Sequence, residues 1–390
     1  MESIYLDYAA TTPVEAEVAE RMRDCLVHEF GNPASSGHAF GRRAEALVAE
    51  AREQVALVIG AEPRDIVFTS GATEADNLAI TGAARFRADR GRHIVIGASE
   101  HKAVLEPCDA LEFAGFEVTR VPPERDGRTD PARVAAALRP DTILVSVMHA
   151  NNETGVINDI GVIGERVRAH GALMHVDAAQ TVGKLALDVA TLDIDLLSLS
   201  AHKNHGPKGV GALWIRRRPR VRLRPLIVGG GHERGLRAGT LAPHQIVGMG
   251  AALARAADAM HDDWQHARAL GNELVAALAE LPGWHENGAG AARLPGIRNL
   301  GFAGVDGVEL ASALADDVAL STGSACTTGS VEPSHVLRAM GQDAATAGQA
   351  VRLSWGRLTT TDEIATAGAH IARTVGRLRA ADVEAVATYM

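Results

Sequence analysis

Lysine is scarce in this chain: of 39 lysines and arginines, only Lys102, Lys184, Lys203 and Lys208 are lysine. Lys203 lies in SLSAHKNHGPKG, at the end of the apolar run IDLLSLS, where a charged side chain is least welcome. Arginine would supply charge equally well. What lysine alone can do is lose its proton and form a Schiff base with an aldehyde. Upstream, the apolar segment ALMHVDAAQ carries Asp177 at its end. An acid at one strand end and a lysine at the next fit pyridoxal phosphate, with the aldehyde on Lys203 and the ring nitrogen on Asp177. The same two residues also fit a loop lysine and a helix-capping aspartate, so other segments must decide.

FTSGATEADNLA reads as a strand, a Ser-Gly turn and a helix opening at Ala72 and Thr73. Free amides at such an opening bind phosphate, and the Thr73 hydroxyl adds a donor. A plain N-terminal cap with Glu74 in the first turn is the alternative. Ser200 and His202, beside Lys203, are further phosphate donors in this reading. Gln180, three residues after Asp177, is placed to donate to a phenolic oxygen. His101, after the HIVIGA strand, is placed to stack on a ring and shuttle protons. Cys25 and Cys108 fall in helical patterns, where cysteine packs as a small hydrophobe. Cys326 instead lies in the glycine- and serine-rich STGSACTTGS, which offers it little cover and points to a reactive thiol. Arg352, in VRLSWGR, alternates with apolar residues as on a half-buried strand, and its guanidinium can clamp a carboxylate with two hydrogen bonds. Asn152, in HANNETG, is placed for the same substrate or the ring. In WIRRRPRVRLRP, the arginines from Arg216 to Arg224 read as a solvated face.

These residues need a scaffold that collects strand ends. Short β-branched runs (DIVFTS, HIVIGA, FEVTRV, TILVSVM, ALMHVD, LLSLS, VGALWI) alternate with amphipathic segments between about residues 60 and 215. That pattern predicts an α/β fold with a mostly parallel sheet and its site at the carboxyl ends of the strands. A helix-rich stretch over 244–281 leads into a smaller α+β unit. The glycine-rich VGGGHERGLRAGT and STGSACTTGS are expected to be mobile or ligand-approaching loops.

The chain has 390 residues, 46% hydrophobic and 22% charged, with a net charge of −9. That balance gives no bulk attraction to nucleic acid or anionic membranes. No apolar stretch reaches spanning length. MESIYLDYAATTP has no basic region followed by an apolar core, so no secretory leader is expected. Three cysteines without a CxxC pair suggest no disulfide framework and a reducing, cytoplasmic setting.

Taken in order, YLDYAATTP, FGNPASSGH, FTSGATEADNLA, SEHKAVLE, HANNETGV, HVDAAQTVGK, SAHKNHGPKG, GGGHERGLRAGT, STGSACT and VRLSWGR resemble the group I cysteine desulfurases, essentially end to end. These are fold-type-I pyridoxal phosphate enzymes. The resemblance implies Lys203 as the Schiff-base lysine, Asp177 at the pyridinium, Gln180 at the phenolic oxygen and His101 on the ring. It implies Ala72, Thr73, Ser200 and His202 around the phosphate, with Thr240 reaching the phosphate of a neighbouring subunit. Asn152 and Arg352 would hold the substrate carboxylate, and Cys326 would carry a persulfide. L-cysteine is the implied substrate, L-alanine the product, and a scaffold or thiocarrier protein the sulfur acceptor. A homodimer is implied, with a large domain over 15–260 and a small one combining 1–14 with 261–390. Two features depart from the family. No long extension follows DVEAVATYM, so scaffold docking through such a tail is not expected. Asn204 and His205 replace a bulkier apolar-aromatic pair. Selenocysteine lyase and transamination are the rival activities, and an idle sulfur carrier is the rival of another class.

Overall fold

The computed structural model describes residues 3–323 and 332–388, with 382–388 in backbone only. Cys326 lies outside the described residues. All seven expected strands form, in one sheet. In chain order after the short β1 (Ile4–Tyr5) they are β2 (Ile66–Thr69), β3 (His93–Gly97), β4 (Glu117–Val121), β5 (Thr142–Ser146), β6 (Leu173–Asp177), β7 (Leu196–Ser200) and β8 (Gly211–Ile215). The spatial order is β2-β8-β7-β6-β5-β3-β4. β8 is antiparallel to both β2 and β7, and every other pairing is parallel. Six strands therefore end on one edge. Central strands β5 to β8 are buried at every residue because helices cover both faces, which is why they read as continuous apolar runs. The edge strand β4 is mostly open to solvent.

Helices connect the parallel strands, and several of them open on side-chain caps. Asp159 Oδ1 accepts from Val162 N at 3.0 Å to open Ile160–His170, and Gly171 closes that helix at φ 93°, a conformation glycine adopts without a Cβ penalty. Ala72–Arg87 follows β2, and Lys102–Phe113 follows β3.

A second sheet joins β9 (Trp284–Glu286), β10 (Ile297–Phe302) and β12 (Ala350–Ser354), and β11 (Val318–Ala319) pairs in parallel with β1. Apolar packing follows the same division. Two large clusters draw on residues from Val48 to Leu253, whereas a third joins Leu6 to residues from Ala267 to Val375. The 35-residue helix Pro243–Ala277 runs through both.

Three expectations need correction. β12 is buried at every residue, so Arg352 is a buried arginine and not a half-exposed one. Its strand lies between β10 and the chain around Ser321, and loses solvent on both sides. In the stretch VGGGHERG, Val228 to Gly231 are exposed as expected, but Glu233 and Arg234 are anchored to the large unit. Buried Glu233 takes Arg52 at 2.6 Å and the Phe68 amide at 2.9 Å, and Arg234 donates to Ile66 O at 2.6 Å. In the arginine run, Arg216 caps inner carbonyls, donating to Ile194 O at 2.6 Å and Leu192 O at 2.5 Å, while the arginines from Arg217 to Arg224 are exposed.

Candidate active site

The strand edge holds a cavity of about 430 Å³, within the usual span for a cofactor pocket of roughly 300–1,000 Å³. Ala72, Thr73, His101, Asn152, Asp177, Gln180, Ser200, His202, Lys203 and Arg352 all line it. Of the sequence candidates, Thr240 does not line it and is exposed, and Cys326 lies outside the described residues.

At the phosphate end, Ser70 N donates to Glu74 Oε2 at 2.7 Å, and Glu74 is itself held by Arg237 at 2.8 Å. The cap reading of Glu74 therefore holds for one amide. Past Gly71, whose N–H goes to Thr69 Oγ1 at 3.4 Å, the amides of Ala72 and Thr73 find no acceptor among the described residues. The Ser200 hydroxyl is buried and unpartnered as well. His202 Nδ1 lies 3.2 Å from Thr11 Oγ1, and burial, aided by Lys203, Lys208 and Lys184, pushes its pKa down to about 4. It is thus a neutral ring with one N–H to offer.

Asp177 sits where β6 ends, its Oδ1 accepting from Ala179 N at 2.8 Å. Gln180 follows in a turn, not at a helix start. One of its amide hydrogens goes to Ala9 O at 3.0 Å, and the other remains available. His101 caps the helix Lys102–Phe113, accepting from Ala103 N through Nδ1 at 3.1 Å. That bond places the hydrogen of the neutral ring on Nε2. Burial, then the neighbouring Lys203, lowers the pKa of His101, so the neutral ring is the resting form. Arg352 donates to Asp7 Oδ1 at 2.6 Å and to Asn152 O at 3.0 Å, while its buried Nε has no partner.

Two acids here escaped the sequence reading. Asp7 pairs with Arg352, and only its place in LDYAATT hinted at a role. Asp76 lines the cavity floor, fully buried, with both oxygens unpartnered and His175 Nε2 3.5 Å away. Burial first, then the charge of Asp177, raises its pKa well above the ordinary carboxylate value. A signal for it existed. Asp76 falls among Ala75, Ala79, Ile80 and Ala83 on the apolar stripe of its helix, where an acid is out of place.

The cavity thus offers unpartnered donors at one end, an acid at the other and a lysine between strands, which fits pyridoxal phosphate. Residues 4–366 match the family described as Aminotransferase class-V. The chain belongs to this family. Pyridoxal phosphate is its cofactor. Among curated relatives, "Cysteine desulfurase IscS" of Stutzerimonas stutzeri (strain A1501) is 54% identical over 96% of this chain and 93% of that protein. The protein of the same description from Azotobacter vinelandii is 52% identical over the same shares. Among solved structures, a NifS-like protein superposes with a TM-score of 0.89 at 36% identity, covering 97% of this chain and 99% of that one. SspA in complex with cysteine gives a TM-score of 0.81 at 38% identity, covering 91% and 98%.

Proposed function

We propose that Cys326 receives the sulfur in a chain that works as a pyridoxal-phosphate-dependent cysteine desulfurase, converting L-cysteine to L-alanine. The observation that carries this reading is the gathering of Lys203, Asp177, His101 and Arg352 around one cavity, in a chain that is 54% identical to a cysteine desulfurase along nearly its whole length. The bound cofactor supplies an electron sink for the substrate's α-carbon and an aldehyde through which the substrate is held.

The chain's own residues do the rest. Lys203 anchors the aldehyde, and its Nζ, when unprotonated, takes the substrate α-proton. Asp177, through the oxygen not engaged by Ala179, holds a proton on the ring nitrogen. The amides of Ala72 and Thr73, with Thr73, Ser200 and His202, bind the phosphate, and Gln180 donates to the phenolic oxygen. Arg352 binds the substrate carboxylate, with Asn152 beside it, and Asp7 holds the guanidinium in place. His101 Nε2 moves a proton at the substrate thiol. The Cys326 thiolate attacks the substrate sulfur. A sulfur–sulfur bond forms and the carbon–sulfur bond breaks, leaving its electron pair on carbon. The carbon takes up protons and leaves as alanine, while the outer sulfur of the Cys326 persulfide passes to an acceptor protein.

The likeness extends to a working assembly. Thr240, exposed and away from its own chain's cavity, suits the phosphate of a second copy in a homodimer. The three apolar clusters favour a large domain over 15–260 and a small one from 1–14 with 261–390. No helix among the described residues is long and apolar enough to cross a membrane, and the setting we favour is the cytoplasm.

The test is to supply the purified yellow enzyme with L-cysteine and a thiol reductant. Sulfide and L-alanine should appear in equal amounts, with sulfur-34 from labelled cysteine on Cys326 when the reductant is left out. Alanine without protein-bound sulfur would instead make this a lyase, and pyruvate or a keto acid would make it a transaminase.

A further inference from the structure

Lys203 lines a second cavity, of about 80 Å³, which shares only Ala9 and Lys203 with the cofactor site. One wall is a single face of the helix Pro243–Ala277, bearing Ala256, Met260, Trp264 and Ala267 at helical spacing. Opposite stand Ile297, at the start of β10, and Trp355, just past β12. The cavity therefore lies where the two sheets' units meet, and most of its lining is apolar.

Its polar groups are unbalanced. Arg357 is fully engaged, by Asp263 at 2.6 Å and Glu15 at 2.6 Å. His205 Nδ1 is taken by Pro13 O at 3.0 Å. Two donors remain. Asn204 is 3% exposed, and its Nδ2 finds no acceptor. Lys184, from the turn after Gln180, also lines the cavity, and no hydrogen bond or ion pair reaches its ammonium among the described residues. Two unanswered donors beside aromatic side chains call for an acceptor with an apolar body. A carboxylate provides this. A free amino group on the same ligand would be repelled by Lys184, the group its carboxylate must reach.

We propose that this junction cavity binds a short-chain monocarboxylate of two to four carbons, its carboxylate on Lys184 and Asn204 and its chain against Trp264 and Trp355. Burial, then Lys203, lowers the Lys184 pKa to about 7 against a smaller opposing pull from Asp263, and an arriving anion would restore its charge. The site lies outside the desulfurase chemistry but touches Lys203, so its occupant would be sensed where the cofactor is anchored.

Two of the four tryptophans line the cavity, so intrinsic fluorescence of the holoenzyme reports occupancy directly. Propionate, titrated at constant ionic strength, should give a saturable change, and its neutral isostere propionamide none. Lys184→Met should weaken propionate at least tenfold. Met260→Phe, which fills the void and spares Lys184, should do the same, so one variant decides if the other fails to fold. Arg352→Ala should leave the response intact, because the arginine assigned to the substrate carboxylate lies in the other cavity. A linear response overturns the proposal, as does equal action by propionamide or unchanged affinity in both cavity variants. Loss of the response in Arg352→Ala would put the anion in the cofactor site, and an equal response to L-alanine would make this a product site. Either result also overturns it.

Discussion

The two cavities that meet at Lys203 are built on opposite terms. The cofactor cavity is crowded with acids and donors: Asp177, Ser200, Gln180 and His202 come from strand ends and the turns that follow them, and Asp76 from the helix after β2. The junction cavity is walled by Trp264, Trp355 and Met260, and no hydrogen bond or ion pair among the described residues answers its Lys184. Both contain a deep lysine. What separates them is the company. An acid at the end of β6 stands with Lys203, while nothing among the described residues pairs with Lys184. Burial alone makes a lysine unusual, and a partnered site on a converging sheet edge is what makes Lys203 the candidate for catalysis.

The hardest test of this contrast is to ask which lysine holds the cofactor. Lys203→Ala should lose turnover entirely, by more than about a thousandfold, together with the yellow absorbance. Borohydride reduction of the wild type, followed by peptide mapping, should place the pyridoxyl group on Lys203. A label on Lys184 or Lys208 would reverse the comparison.

Cys326→Ser comes next. It should stay yellow and bind L-cysteine, with the spectral change that binding brings, yet make almost no alanine. A hydroxyl is a poor nucleophile toward sulfur and cannot hold a sulfane atom. Cys25 and Cys108 cannot stand in for it, since both are buried, and burial pushes the Cys108 thiol up to about 12. Normal desulfuration by the serine variant, or extra mass on Cys25 or Cys108 alone, would remove the relay.

Asp177→Ala sharpens the same contrast by removing the acid at the end of β6 from the cofactor cavity. Proton abstraction should slow about a hundredfold or more while the enzyme stays coloured. Alanine production at the full rate would contradict the role. Arg352→Ala should chiefly raise KM for cysteine, by about tenfold to a hundredfold, with the resting spectrum unchanged. Lysine should not rescue, because it lacks the two-pronged geometry. An unchanged KM would leave Arg352 as the partner of Asp7 and nothing more.

Much of the cofactor cavity was legible in the sequence, and almost none of the junction cavity. Strands buried on both faces print themselves as apolar runs, and their ends are where Asp177, Ser200 and Lys203 stand. β1, β9 and β11 have two or three residues each, too few for any period to show. Glu233 sits in a glycine run that reads as loop, because its partner Arg52 is far away in the chain. Arg352 looked half-exposed for a similar reason: alternation along a strand says nothing of what covers each face. Lys184 gave no sign, since the walls of its cavity come from segments near residues 204, 260, 297 and 355. Pattern reveals what lies along one element and is silent on what several elements enclose.

The smallest effect expected concerns the polar floor around the cofactor cavity, where buried groups titrate in opposite senses. Burial pushes His149 down to about 4, below its unfolded value near 6.5. The unfolded chain therefore binds a proton in that window that the folded chain refuses, and stability from this group is lost as pH falls from about 6.5 toward 4. Glu100 works the other way. Burial raises it well above the carboxylate range, so the folded chain keeps a proton that the unfolded chain releases above about 4.3. Its contribution grows as pH falls through the same window. Each full proton of difference is worth about 1.4 kcal/mol per pH unit, and in the wild type the two oppose. Single variants should expose them. Relative to wild type between pH 6.5 and 5.5, His149→Gln should gain about 1 kcal/mol on acidification, and Glu100→Gln should move the opposite way and lose stability. Denaturant midpoints at the two pH values measure this. Parallel behaviour of both variants and the wild type would mean that neither group is held in the protonation state that its burial imposes.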